Sequence, residues 1–91
     1  MKTAKAIALK EFQTLPGVGQ SIAENLWGMG FRSVAELKDR DPEELYERLC
    51  AYEGTRVDRC ALYVFRCIVY YVSTKKRRPA LLKWWNWKDR P

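Results

Sequence analysis

The sequence has no histidine, and its three cysteines, Cys50, Cys60 and Cys67, are too far apart to form a CxxC pair. General acid–base work at neutral pH relies on histidine or on a perturbed carboxylate pair. Zinc sites are built from clustered Cys and His. The acids here fall on helix faces open to solvent, and no cysteine has a histidine to activate it. The residues therefore argue against an enzyme, a metal centre and a cofactor. Three unpaired cysteines read as buried, reduced thiols, with Cys60 and Cys67 on one helix face. Long hydrophobic runs are missing as well. The longest apolar stretch, CALYVFRCIVYYV (60–72), falls short of the ~20 residues that span a bilayer, and Arg66 interrupts it. The opening MKTAKAIALKEF interleaves charges with apolar residues and so lacks a secretory apolar block. These absences predict a soluble cytoplasmic protein without a membrane span.

Positive charge is present but unevenly placed. Of a net charge of +6, residues 75–91 carry seven basic residues against Asp89, while residues 1–74 hold ten basic and ten acidic residues. Within that neutral part, residues 36–53 carry seven Asp/Glu against three Lys/Arg. A polyanion is repelled by the middle of such a chain and accepted at its ends. With 91 residues, 47% of them hydrophobic, the chain supports one globular domain with one modest core. The expected division is a folded domain over 1–74 and a basic arm over 75–91.

Apolar spacing predicts five helices and no strand. Ala4, Ile7, Ala8 and Phe12 recur at the helical period over 3–13, as do Ile22, Ala23, Leu26 and Trp27 over 21–29. Ser33 followed by Glu36 reads as a capping box that opens a short third helix ending near Asp39. Asp41–Pro42–Glu43–Glu44 is a second start signal, with a capping carboxylate and Pro in the first turn. That fourth helix runs to about Tyr52 and turns at Glu53–Gly54–Thr55. The fifth, over 56–73, is apolar nearly all round, as expected of a central helix. Arg66 within it calls for a carboxylate from another helix. Tyr63, Tyr70 and Tyr71 read as core or rim aromatics, and Trp27 as an anchor. Residues 80–87 form either a short sixth helix or an extended arm.

Proline and glycine are scarce, yet Pro16, Gly17 and Gly19 crowd together at the start of LPGVGQSIAENLWGMG (15–30). Glycine is needed where φ is positive or where another group must touch the main chain. Leu15 and Val18 can plug the core while the glycines keep the turn narrow. The amides of Gly17, Gly19, Gln20 and Ser21 then precede a helix whose first N–H groups lack internal partners, a natural seat for a phosphate oxygen.

Residues 4–28 resemble a helix-hairpin-helix unit, whose hairpin alternates hydrophobic residues and glycine, here Pro16–Gly17–Val18–Gly19. Ala23, Leu26 and the run Gly30-Phe31-Arg32-Ser33-Val34-Ala35-Glu36-Leu37 are similar to that family's passage into a connector helix. The fourth and fifth helices resemble a second unit that turns at Gly54. PEELYERLCAYEG, VDRCALYVFRCIVYY and LLKWWNWKD are similar to the small bacterial family labelled "pathogenicity locus". The resemblance implies an all-α, five-helix tandem helix-hairpin-helix (SAM-like) domain. It also implies sequence-independent binding of DNA through hairpin amides and the phosphate backbone. Pro16, Gly17, Val18, Gly19, Gln20 and Ser21 carry the first hairpin over in full. The second keeps only Gly54, with Glu53 and Thr55 beside it and Arg56 and Arg59 as compensating cations.

The tail, KKRRPALLKWWNWKDRP, joins those cations to three of the four tryptophans. Trp84, Trp85 and Trp87 with Lys75, Lys76, Arg77 and Arg78 suit three uses: packing on the core, stacking on nucleic acid, or contact with a membrane surface or partner. The expected function is non-enzymatic binding of nucleic-acid backbone through residues 16–21, with Lys10, Thr55, Arg56, Arg59 and residues 75–78 contributing. The alternative is a protein-interaction module or a homodimer that uses the tryptophan arm, without nucleic-acid binding.

Overall fold

Thr3 starts the first helix by accepting the amide of Ala6 on its hydroxyl at 3.1 Å. In the computed structural model, which describes residues 3–88, α1 then spans Ala4–Phe12. Asp89 and Arg90 of the basic tail lie outside the described residues. Helix α2, Gln20–Gly28, packs against α1 through Ala8 and Phe12 on one side and Ala23 and Leu26 on the other, all buried. Lys5 and Glu24 join the pair at its surface at 3.0 Å.

Helix α3, Pro42–Glu53, begins as its sequence requires: Asp41 accepts the amide of Glu43 at 3.0 Å and Pro42 fills the first turn. It ends at Gly54, whose φ of 73° lets the chain turn left-handed. The amides of Gly54 and Thr55 both return to the Cys50 carbonyl, at 2.9 and 3.2 Å. Helix α4, Cys60–Ser73, is the central element and buries Leu62, Val64, Phe65, Cys67 and Ile68 against α3 and the rest of the core. Burial of such side chains contributes ~1.5–3 kcal/mol each. The described residues contain no strand.

The described residues form four α-helices, not the expected five. Where a third helix is predicted, a single 3-10 turn spans Val34–Leu37. Too few residues separate Ser33 from Asp39, whose φ of 58° swings the chain toward the Asp41 cap. The carboxylate of Glu36 reaches back as the capping signal implies, accepting the amides of Arg32 at 2.8 Å and Ser33 at 3.3 Å. Glu11 accepts the amide of Val34 at 2.8 Å, which fixes the turn to the end of α1. Helix α4 starts at Cys60 rather than 56. Residues 55–57 are used to insert Val57, whose carbonyl accepts the Tyr46 hydroxyl and whose amide points at Cys50 Sγ. Asp58 then accepts the amide of Cys60 at 2.8 Å. That bond holds the Asp58 carboxyl below its ordinary pKa.

The arm is neither a helix nor extended. It forms two 3-10 turns, Pro79–Leu82 and Trp84–Trp87, laid against α4. Arg66 finds its carboxylate, Glu43 on α3 at 3.3 Å, and also donates to the Trp87 carbonyl at 2.8 Å. Trp27 is half-buried beneath the Arg32 guanidinium, 3.7 Å from its ring. Tyr63, Tyr70 and Tyr71 are half-buried rim aromatics. Only Cys67 is a buried thiol. Cys50 is half-buried, and Cys60, at the open end of α4, is exposed.

Candidate nucleic-acid interface

The turn between α1 and α2 is set by four residues. Val18 donates its amide to the Leu15 carbonyl at 3.3 Å, with Pro16 and Gly17 between them. Gly17 has a φ of +77°. Pro followed by a positive-φ glycine is the type II pattern. Leu15 and Val18 point inward and are buried, so Val18 is a plug whose amide is already used. Pro16, half-buried, has no amide to offer and shapes the bend. Gly17, Gly19, Gln20 and Ser21 are exposed, and among the described residues nothing accepts from their four amides. Gly19 is the N-cap of α2 and, lacking a side chain, caps nothing.

The glycines on either side of Val18 answer to different demands. At Gly17 a side chain would be strained by the positive φ, and a Cβ would stand 3.1 Å from Cδ1 of Trp84. Gly19 has neither reason. Its φ is −97°, and a Cβ there would meet nothing within 4 Å. Neither φ nor packing requires glycine at 19.

Trp84 is where arm and turn meet. Its ring is half-buried over Gly17, and the arm that carries it is firmly tied. Trp87 Nε1 donates to the Leu81 carbonyl at 2.9 Å, and the Asn86 side-chain Nδ2 to the Ala80 carbonyl at 2.7 Å. The Trp87 ring lies against Tyr70, centroids 5.4 Å apart. Cys67 Sγ also donates to the Leu81 carbonyl at 3.4 Å, and burial pushes that thiol up to about 11. Trp85 alone of the three arm tryptophans stays half-open to solvent. Trp84 is thereby brought against Gly17, a placement the sequence pattern does not show because it depends on the arm folding back.

The second cluster is built differently. Gly54 and Thr55 have their amides bonded to the end of α3, so the expected amide site there is closed. Arg56 pairs with Glu47 at 3.3 Å. Arg59 stands at the entry of α4, its carbonyl accepting from Leu62. The structure does not join this cluster to a bare turn like that at 17–21.

Arginine is largely occupied elsewhere. Six guanidinium–ring pairs occur among the described residues, against about one per 70–80 residues in ordinary proteins. Arg77, for example, donates to the Tyr71 carbonyl at 2.8 Å and stacks on the Tyr71 ring, which caps the end of α4. The lysines are the available cations. Lys10, in the last turn of α1, and Lys75, Lys76, Lys83 and Lys88 are exposed, and no carboxylate among the described residues pairs with them. Arg78 is exposed as well, its backbone amide donating to the Tyr70 hydroxyl at 2.8 Å and its carbonyl accepting from Leu81 at 2.9 Å. The amides of the turn have no acceptor within the described residues, and a helix start of this kind can hold an oxyanion.

The family model for "pathogenicity locus" (Cdd1) matches residues 5–91. The chain belongs to the pathogenicity locus family. It is also 38% identical over 77 residues to the "Mitomycin resistance protein McrB" of Streptomyces lavendulae, an overlap covering 85% of this chain and 70% of that relative. No solved structure matches. The pathogenicity locus match takes in α1–α4 and the arm, so the turn and the tryptophans that fold onto it lie in one family unit. No helix among the described residues is long and apolar enough to cross a membrane.

Proposed function

We propose that this pathogenicity locus protein is a non-enzymatic, cytoplasmic binder of nucleic-acid backbone, and that the α1–turn–α2 unit is a helix-hairpin-helix that holds a phosphodiester. One observation carries the reading: the four exposed amides at 17, 19, 20 and 21 are without acceptors, beside a Gly19 that the fold does not require. Such a helix start carries roughly half a positive charge and binds anions without side chains. Lys10, Lys75, Lys76, Arg78 and Lys83 add the charge that recognition of a polyanion needs. The binding is to DNA and independent of sequence, because amides read phosphate and not base edges. In a tandem arrangement the α3–α4 pair supplies the second unit as a scaffold.

The relative's name gives a physiological direction, and on this reading a host carrying the chain survives mitomycin better than one without it. The test at the molecular level is a polarisation titration of labelled single- and double-stranded DNA at two salt concentrations. Binding that weakens steeply with salt and is lost in Gly19→Asp supports the proposal. Salt-insensitive binding, or a Gly19→Asp protein with full affinity, refutes it. Homodimerisation through the arm is the competing outcome, and it has only Trp85 to work with, since Trp84 and Trp87 are turned inward.

A further inference from the structure

Three large hydrophobic residues stand open on the surface: Ile7, Tyr52 and Trp85. The Tyr52 ring closes over Gly28, where a Cβ would collide with it, so that ring serves the fold. Trp85 has no such duty. It is 49% exposed and meets Trp84 edge-on, with centroids 5.8 Å apart and planes at 86°. Leaving an indole in water is unfavourable by the area it exposes. Yet this indole is presented by a segment tied down at both ends: Leu81 takes bonds from Cys67 and Trp87, and the Trp87 carbonyl takes one from Arg66. A ring held in place in this way loses little freedom when something stacks on it.

The charge around Trp85 points to the occupant. Lys83 and Lys88 flank it in the chain, both exposed and without a carboxylate partner among the described residues. Through Trp84 it stands one ring away from Gly17 and the bare amides. We infer that Trp85 is a stacking platform for an unpaired base, and that the preferred ligand of this protein is single-stranded DNA or the single-stranded part of a junction. Base faces in a duplex are already covered by their neighbours, so a duplex cannot use the ring. An indole among cations suits a strand that offers a phosphate and a base in turn. This inference rests on the backbone-binding reading above and adds a base contact to it.

The test uses the full chain and three probes: oligo-dT of about 12 nucleotides, within usual single-strand site sizes, an abasic oligonucleotide of equal length, and the corresponding duplex. The expected result is that Trp85→Ala weakens binding of oligo-dT about tenfold and leaves the abasic strand and the duplex unchanged. Trp85→Tyr should retain most of the affinity. Equal loss on all three probes, or no loss on oligo-dT, overturns the stacking role while backbone binding stands. A wild-type chain that binds none of the probes overturns both. A chain whose only Trp85-dependent property is self-association, read by light scattering of wild type and Trp85→Ala, assigns the ring to a protein contact and overturns the inference.

Discussion

At the scale of the residue, Gly17 and Gly19 stand either side of Val18 and differ in why they are glycine. Gly17→Ser forces a side chain into positive φ beneath Trp84, and we expect a loss of about 1–2 kcal/mol in urea denaturation. Gly19→Ser meets open space at negative φ and supplies a capping hydroxyl, so stability should hold or rise by about 0.5 kcal/mol. The same Gly19→Ser protein should bind DNA more weakly than wild type in the polarisation assay, which separates the two roles. The pair PGVG is legible in the sequence. Which of its glycines the fold itself uses is not, because that depends on Trp84 arriving from 67 residues downstream. Cys67 makes a prediction of its own. Its thiol stays protonated in the fold to about 11, against 9.0 when free. Its pKa is raised on folding, so the stabilisation is complete below pH 9.0 and is lost as pH climbs toward 11. The unfolding free energy should fall more steeply through that window in wild type than in Cys67→Ala, as read by urea denaturation at a series of pH values.

At the scale of the element, helix starts read well where a capping side chain announces them. Thr3, Asp41 and Pro42 all do what their types suggest. The failures share a cause. The Ser33–Glu36 signal is real, but it opens one 3-10 turn, because the positive φ of Asp39 cuts the segment short. Apolar periodicity likewise ran α4 back to 56, whereas Asp58 sets its start at Cys60. The arm is the least legible part, since its bonds are to α4 and not within itself. Arg66 is the clasp, with its guanidinium shared between the Trp87 carbonyl and Glu43. Arg66→Met should cost about 2 kcal/mol and make the tryptophan emission of the native state redder, as the arm loosens and its rings meet water. An unchanged spectrum with full stability would show that the arm stays docked without that side chain.

At the scale of the whole molecule, charge and shape act together. The radius of gyration of 12.8 Å, close to the ~13 Å of a compact 100-residue domain, is that of a chain with its arm folded in. Folding brings a strongly basic segment onto a neutral body, and Trp84 lies against the turn at Gly17. Composition alone locates the positive charge in the tail, and only packing ties that tail to the body. The acidic stretch over 36–53 runs through α3. If about three phosphates are neutralised, affinity should fall roughly 40-fold between about 50 and 200 mM salt. The amides themselves give the most direct measurement. In an amide N–H correlation spectrum of the full chain titrated with oligo-dT, the signals of Gly17, Gly19, Gln20 and Ser21 should move most. Those of Gly54 and Thr55, already bonded to Cys50, should stay in place. Still signals at 17–21, with movement confined to the lysines and tryptophans of 75–88, would contradict the phosphate site and leave the arm as the binding element.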